Sequence, residues 1–191
     1  MASAPVPDDA SVRVDSTYTR DSAPALMATA PVGLSDVEYL RMRHIQVPVA
    51  GALPSQIQDS FNDPRDGGRR HRAIDILAPR GTPVLAADDG RILRLSTNAA
   101  GGITVYAVDP EERIVYYYAH LDHYHAGLAS GEHIQRGDTL GYVGTTGNAP
   151  KNVPHLHFQV MRMPYGGKQY WNGEPINPYS LLVSDDTTGR R

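Results

Sequence analysis

From about residue 46 to residue 183 the chain is written in short alternating runs, each closed by residues that turn the backbone. Pro83–Ala87, Arg91–Leu95, Ile103–Val108, Arg113–Ala119, Thr139–Val143 and Leu156–Arg162 read as strands, because apolar side chains recur at every second position. Between them Asp88-Asp89-Gly90, Ala100-Gly101-Gly102 and Asp109-Pro110-Glu111 supply turn chemistry. Strands at this spacing without intervening helices predict a mainly β fold, an antiparallel sandwich or barrel-like sheet. The 18 Gly and 15 Pro, against two Phe and one Trp, point the same way.

The flanks are different. Residues 1–33 are rich in Ala, Ser, Asp, Pro and Thr without periodicity and read as a flexible tail or linker. Ser35-Asp36-Val37-Glu38 is a capping box that opens a short helix through about Arg43, so residues 34–45 form a short helical segment ahead of a domain at 46–183. Residues 184–191 are polar and expected to fray.

Charge and composition exclude several functions. A net charge of −3 argues against a nucleic-acid binder, for which a basic excess is expected. No run reaches the roughly 18 apolar residues of a membrane span. With no cysteine, disulfides, thiolate metal sites and cysteine nucleophiles are ruled out. Met1-Ala2-Ser3-Ala4-Pro5 lacks the apolar core of a signal peptide.

Four of the eight histidines fall in a pattern. In His155-Leu156-His157-Phe158-Gln159-Val160 the alternation is strict, so Leu156, Phe158 and Val160 face one way and His155, His157 and Gln159 the other. Such a strand can present two imidazoles in a cleft, although on this motif alone two solvent-facing histidines explain it equally well. In His71-Arg72-Ala73-Ile74-Asp75 the surrounding Gly67-Gly68, Pro79 and Gly81 disfavour a helix, and an ideal strand would separate the ends by about 13 Å. His71 therefore sits on a bent entry to a strand that begins near Ile74, with Ile74 and Ile76 in the core and Asp75 opposite. Alone, Asp75 could as well pair with Arg72 or Arg80.

Together these elements are more specific. Catalytic zinc commonly takes three His or carboxylate ligands and leaves a fourth position open. His71, Asp75 and one of His155 or His157 supply that set. No His-Glu-x-x-His motif provides a glutamate base, so the remaining histidine of the pair is the candidate for proton transfer. His120 ends the alternating strand of Tyr116-Tyr117-Tyr118, on the face of Tyr116 and Tyr118. Asp122, His123, Tyr124 and His125 read as an exposed loop lining the groove, with a second metal cluster as the lesser alternative, and His44 and His133 as surface residues.

The order His-x-x-x-Asp, then Tyr-x-His-Leu, then His-x-His-Phe resembles the M23 (lysostaphin/LytM-like) zinc metallopeptidases. So does the intervening text: Gly81-Thr82-Pro83-Val84-Leu85-Ala86-Ala87, Arg136-Gly137-Asp138 and Gly141 through Asn148. The likeness covers about residues 46 to 182. It implies a groove over an antiparallel sheet, one zinc ion held by His71, Asp75 and His157, and a catalytic pair of His120 and His155 that are not ligands. The implied activity is hydrolysis of the peptide cross-links of bacterial peptidoglycan by a monomer, with peptidoglycan stem peptides as partner and a periplasmic or cell-envelope location. Arg69, Arg70 and Arg72, after Phe61-Asn62-Asp63-Pro64-Arg65, look like the branch of the family that cuts direct D-amino-acid cross-links, their charge suited to free stem carboxylates. Ala73 stands where many members have Gly, and Asn62 where Phe-Gly is usual. The alternative is a non-catalytic peptidoglycan-binding or amidase-activating module of the same fold, against which the five intact positions weigh. A biotinyl or lipoyl carrier would need a lysine in a tight turn, which Lys151 does not offer.

Overall fold

The computed structural model describes residues 33–184. The expected tail at 1–33 and frayed end at 184–191 lie, but for Gly33 and Ser184, outside them. In chain order the elements are α1 (Asp36–Arg43), β1 (Pro64–Arg65), β2 (Arg69–Arg70), β3 (Ile74–Leu77), β4 (Pro83–Leu85), β5 (Gly90–Asn98), β6 (Gly102–Val108), β7 (Ile114–Tyr124), β8 (His133–Ile134), β9 (Thr139–Val143), β10 (His155–Arg162), β11 (Glu174–Ile176) and α2 (Tyr179–Val183).

One nine-stranded sheet dominates, running β11-β10-β7-β6-β5-β8, and β1 with β2 forms a separate ribbon. Strand β3 pairs with the start of β10, while β4 joins through β9 to the end of β7. Every pairing is antiparallel. Strand β7 thus changes partner along its length. Its first part lies between β10 and β6, and Leu121–Tyr124 turns to β9. The polar letters Asp122, His123 and Tyr124 are therefore strand, not the exposed loop expected. Such an end can pair on one edge and still wet its side chains.

Alternation builds the core. Leu156, Phe158 and Val160 are fully buried, as are Ile74, Val105, Tyr118, Leu121, Leu140 and Val143. Buried tyrosine hydroxyls need partners. Tyr118 accepts the Ala87 N–H at 3.0 Å and Tyr116 donates to Asp88 at 2.9 Å.

Helix α1 carries the expected capping box, with Ser35 and Glu38 each bonding the other's backbone N–H. It is not a loosely attached segment. Tyr39 and Leu40 are buried, Asp36 takes Arg113 at 2.9 Å and Arg162 at 2.6 Å, and Arg43 forks onto Asp88 with both bonds at 2.9 Å.

Candidate metal centre

The site is assembled from three places in the chain that the sheet brings side by side. Pairing of β3 with β10 puts Asp75 opposite His157, and β10 with β7 puts Ala119 on the other flank of His157. His71 lies just before β3, separated from it by a kink at Arg72, whose backbone is left-handed at φ 59°. A bracket from residues 60–63 holds this kink. The carbonyl of Phe61 accepts the Arg72 N–H at 2.7 Å, and that of Asp63 accepts the His71 N–H at 3.0 Å. Ser60 serves both donors: its carbonyl accepts from His71 Nδ1 and its hydroxyl from the Asp75 N–H, each at 3.0 Å.

His71 Nε2, Asp75 Oδ1 and His157 Nδ1 form a triangle with sides of 3.0, 2.9 and 3.1 Å. Donors bound to a tetrahedral zinc ion at about 2.0–2.1 Å stand about 3.3 Å apart, so these three fit such an ion with little movement. Among the described residues this is the one group of His, Cys, Asp or Glu so arranged. Of the two histidines on β10, His157 closes the triangle, and His155 Nε2 lies 3.9 Å from Asp75 Oδ1.

A carbonyl oxygen can only accept, so a ring nitrogen against one carries the proton. His71 Nδ1 faces Ser60 O, His120 Nδ1 faces Thr146 O at 2.9 Å, and His155 Nδ1 faces Val153 O at 2.8 Å. All three rings therefore present a bare Nε2. Partners of this kind fix the tautomer and orientation of metal-site histidines. The His120 ring lies 5.0 Å from His155 and 5.6 Å from His157, centre to centre, so the five residues singled out in the sequence come together.

Alternation alone would have sent His120 elsewhere. Tyr118 faces the core with its neighbour Phe158, and strict alternation puts His120 with it. The register corrects this. Tyr118 faces Val105 and Leu121 faces Ile103, three steps along β7 against two along β6. The extra residue bulges, His120 takes φ 63°, and its ring swings onto the metal face. Thr146 pins the bulge: its hydroxyl donates to Leu121 O at 2.6 Å, and its carbonyl takes the His120 proton. Close approach of the Gly102 and Gly147 backbones makes room, since a Cβ on Gly147 would lie 2.3 Å from Gly102 N.

Burial by itself would push the Asp75 carboxyl up, but hydrogen bonds and charge from His157 and His71 hold it well below the usual carboxylate range. Burial and the neighbouring His157 push His120 down to about 4, and burial lowers His157 against the pull of Asp75. The outer oxygen of Asp75 is held at 2.9 Å by Arg65, a partner not evident from sequence spacing, where Arg72 and Arg80 were the candidates. Arg80 instead pairs with Asp122, and Arg70 donates to Asn62 O at 2.9 Å. His123 stacks on Tyr142 at 4.4 Å, and His44 and His133 are exposed.

Two histidines and a carboxylate are a donor set that catalytic zinc sites use. Residues 69–178 match Peptidase family M23, which is zinc-dependent in general, and the chain belongs to that family. It is 32% identical over 115 residues to the DD-carboxypeptidase/endopeptidase Mpg of Neisseria meningitidis serogroup B, covering 60% of this chain and 23% of the relative. It is 34% identical over 93 residues to the peptidoglycan DD-endopeptidase ShyC of Vibrio cholerae, covering 49% and 20%. The chain thus spans about a quarter or less of the length of these curated relatives. The solved catalytic domain of the antimicrobial peptidase lysostaphin from Staphylococcus simulans superposes with a TM-score of 0.52 at 28% identity, covering 62% of this chain and 83% of that one.

Proposed function

We propose that this chain is a zinc-dependent endopeptidase that hydrolyses peptide cross-links of bacterial peptidoglycan in the cell envelope, in the periplasm where there is one. The observation that carries it is the donor triangle of His71, Asp75 and His157 with two more imidazoles turned toward it. Those three residues would hold the ion, which when bound supplies a Lewis acid and a water of lowered pKa. The rest falls to the chain. Arg65 holds the outer oxygen of Asp75, leaving Oδ1 for the ion. His120 and His155, tied by Nδ1 to carbonyls, aim Nε2 at the reacting atoms. One, neutral, accepts the proton of the attacking water at its bare Nε2, and the other donates a hydrogen bond to the oxyanion when its Nε2 also carries a proton, as imidazolium. Imidazole serves here where no glutamate base stands.

For the bond cut, we favour direct D-amino-acid cross-links over glycine bridges. The names of Mpg and ShyC support this, and the lysostaphin likeness does not decide it. The experiment is digestion of purified cross-linked dimuropeptides beside pentaglycine, with products identified by mass and a chelator control. Release of monomers from the dimers, lost on chelation, is expected. Binding without any product would instead identify a non-catalytic module, and cleavage of pentaglycine alone would overturn the choice of bond. Described residues contain no helix long and apolar enough to cross a membrane.

A further inference from the structure

A row of side chains leads away from the metal centre across the sheet. On its face Gln159 of β10 stands opposite Tyr117 of β7, Tyr117 opposite Tyr106 of β6, and Tyr106 opposite Arg94 of β5. The rings touch in sequence. Tyr117 meets His157 at 6.1 Å, Tyr106 meets Tyr117 at 4.5 Å, and Tyr170 packs edge to face with Tyr106 at 5.3 Å, with Trp171 beside it at 5.1 Å. Trp171 is 48% exposed, so the row has an open aromatic wall as well as a floor.

The far end is charged. Arg43, Arg65, Arg80, Arg91, Arg113 and Arg162 each pair with a carboxylate. Arg94 is exposed and has no ion pair among the described residues, and the group it faces is the neutral phenol of Tyr106. From β10 to β5 is three strand spacings, about 14 Å, or roughly four residues of extended peptide.

We infer that this row is a substrate subsite continuous with the metal centre, in which an extended stem peptide lies over Tyr117 and Tyr106 against Trp171 and places a free carboxylate on Arg94. The assignment rests on the peptidoglycan reading of the metal centre. Flat phenol faces accept small side chains and backbone without selecting among them, while the guanidinium selects a carboxylate over its amide through charge-assisted hydrogen bonds. Arg94 is thereby a specificity-determining residue, set apart from the chemistry by two strands.

Trp171 is the single tryptophan of the chain, so its fluorescence reports on this row alone. The zinc-loaded full chain carrying His155→Ala is titrated with a soluble stem peptide bearing free carboxylates, with the same peptide fully amidated, and with a neutral amino-sugar oligomer. A saturable change is expected with the free acid at roughly tenfold higher affinity than with the amide. In Arg94→Gln that gap closes, and in Arg94→Lys part of it returns. Equal affinity for acid and amide, a gap that persists in Arg94→Gln, or an equal response to the sugar oligomer overturns the subsite. The titration needs no turnover, so it stands apart from the digestion. Failure of the unsubstituted chain to cut any cross-linked peptide would sink the reading of the metal centre, whereas normal cutting without the acid-over-amide gap would sink this inference alone.

Discussion

Strands β7 and β10 are finished in opposite ways at their two ends. At the end of β10 that begins with His155, the backbone is irregular, with left-handed residues at Arg72 and His120 and a bulge in β7. There the side chains are set by main-chain carbonyls of Ser60, Thr146 and Val153. At the other end, near Arg113 and Arg162, a regular helix is fastened by paired charges on Asp36 and Asp88. Carbonyls fix a direction and leave the second ring nitrogen free for chemistry. Ion pairs fix a position and leave nothing free to react. The contrast implies that the two ends fail separately: damage to one changes function, and damage to the other changes stability.

The largest expected effect is at the metal. His157→Ala removes one of three donors, so protein purified without added zinc should lose its near-stoichiometric metal by elemental analysis, and with it all measurable cleavage. Full metal retention would remove His157 from the ligand set. The folded chain should persist, less stable by the linkage that bound metal supplies, about 2.7 kcal/mol at a hundredfold excess over Kd. Next, His120→Ala and His155→Ala should each keep the metal and lose about 10²- to 10⁴-fold in turnover. Near-normal turnover in the first would make His120 structural. Loss of zinc in the second would transpose the two histidines of β10.

At the other end the prediction reverses. Asp88 is buried and accepts from Arg43, Tyr116 and the Asp89 N–H. Asp88→Ala leaves a phenol and a guanidinium without their acceptor, which should cost about 3 kcal/mol in chemical denaturation. Zinc content and turnover of the folded fraction should not change. A several-fold fall in turnover at full zinc would show that the two ends are coupled.

The same contrast explains what could be read from the letters. Regular parts were legible: strict alternation gave β10 and its two faces, and Ser35 with Glu38 gave α1 to its last residue. Irregular parts were not. The bulge that turns His120 out of the core has no glycine at the bulged residue, and the glycines that permit it, Gly102 and Gly147, are far away in sequence. The contact of Arg65 with Asp75 depends on the β1–β2 ribbon, whose two-residue strands have no period to detect. Strands β8 and β11 escape for the same reason. The end of β7 escapes because its polar letters resemble a loop while its backbone pairs with β9. Resemblance to the family carried the assignment of His120 where periodicity pointed it inward.

The smallest effect gives the finest test of separation. The Ser35 hydroxyl accepts the Glu38 N–H at 3.3 Å, and the Ser35 N–H donates to Glu38 Oε2 at 2.9 Å. These bonds satisfy two of the donors that a helix start leaves open. Ser35→Ala removes the hydroxyl and keeps the returning bond from the Ser35 backbone, so the loss should be about 1 kcal/mol. Tyr39 and Leu40 still anchor the helix by burial, and Asp36 still holds Arg113 and Arg162. For a chain of this length 1 kcal/mol corresponds to roughly 2–4 °C in Tm. Ser35→Thr, whose hydroxyl can accept the Glu38 N–H and donate to the Glu38 carboxylate as Ser35 does at 2.7 Å, should recover most of it, and Ser35→Gly should lose only a few tenths of a kcal/mol. Zinc content and kcat/KM should be identical across the three. A drop in Tm of this size with unchanged kinetics would place α1 on the stability side of the contrast. Turnover that fell with Tm and returned with Ser35→Thr would mean that the helix end steers the histidines through β7 or β10.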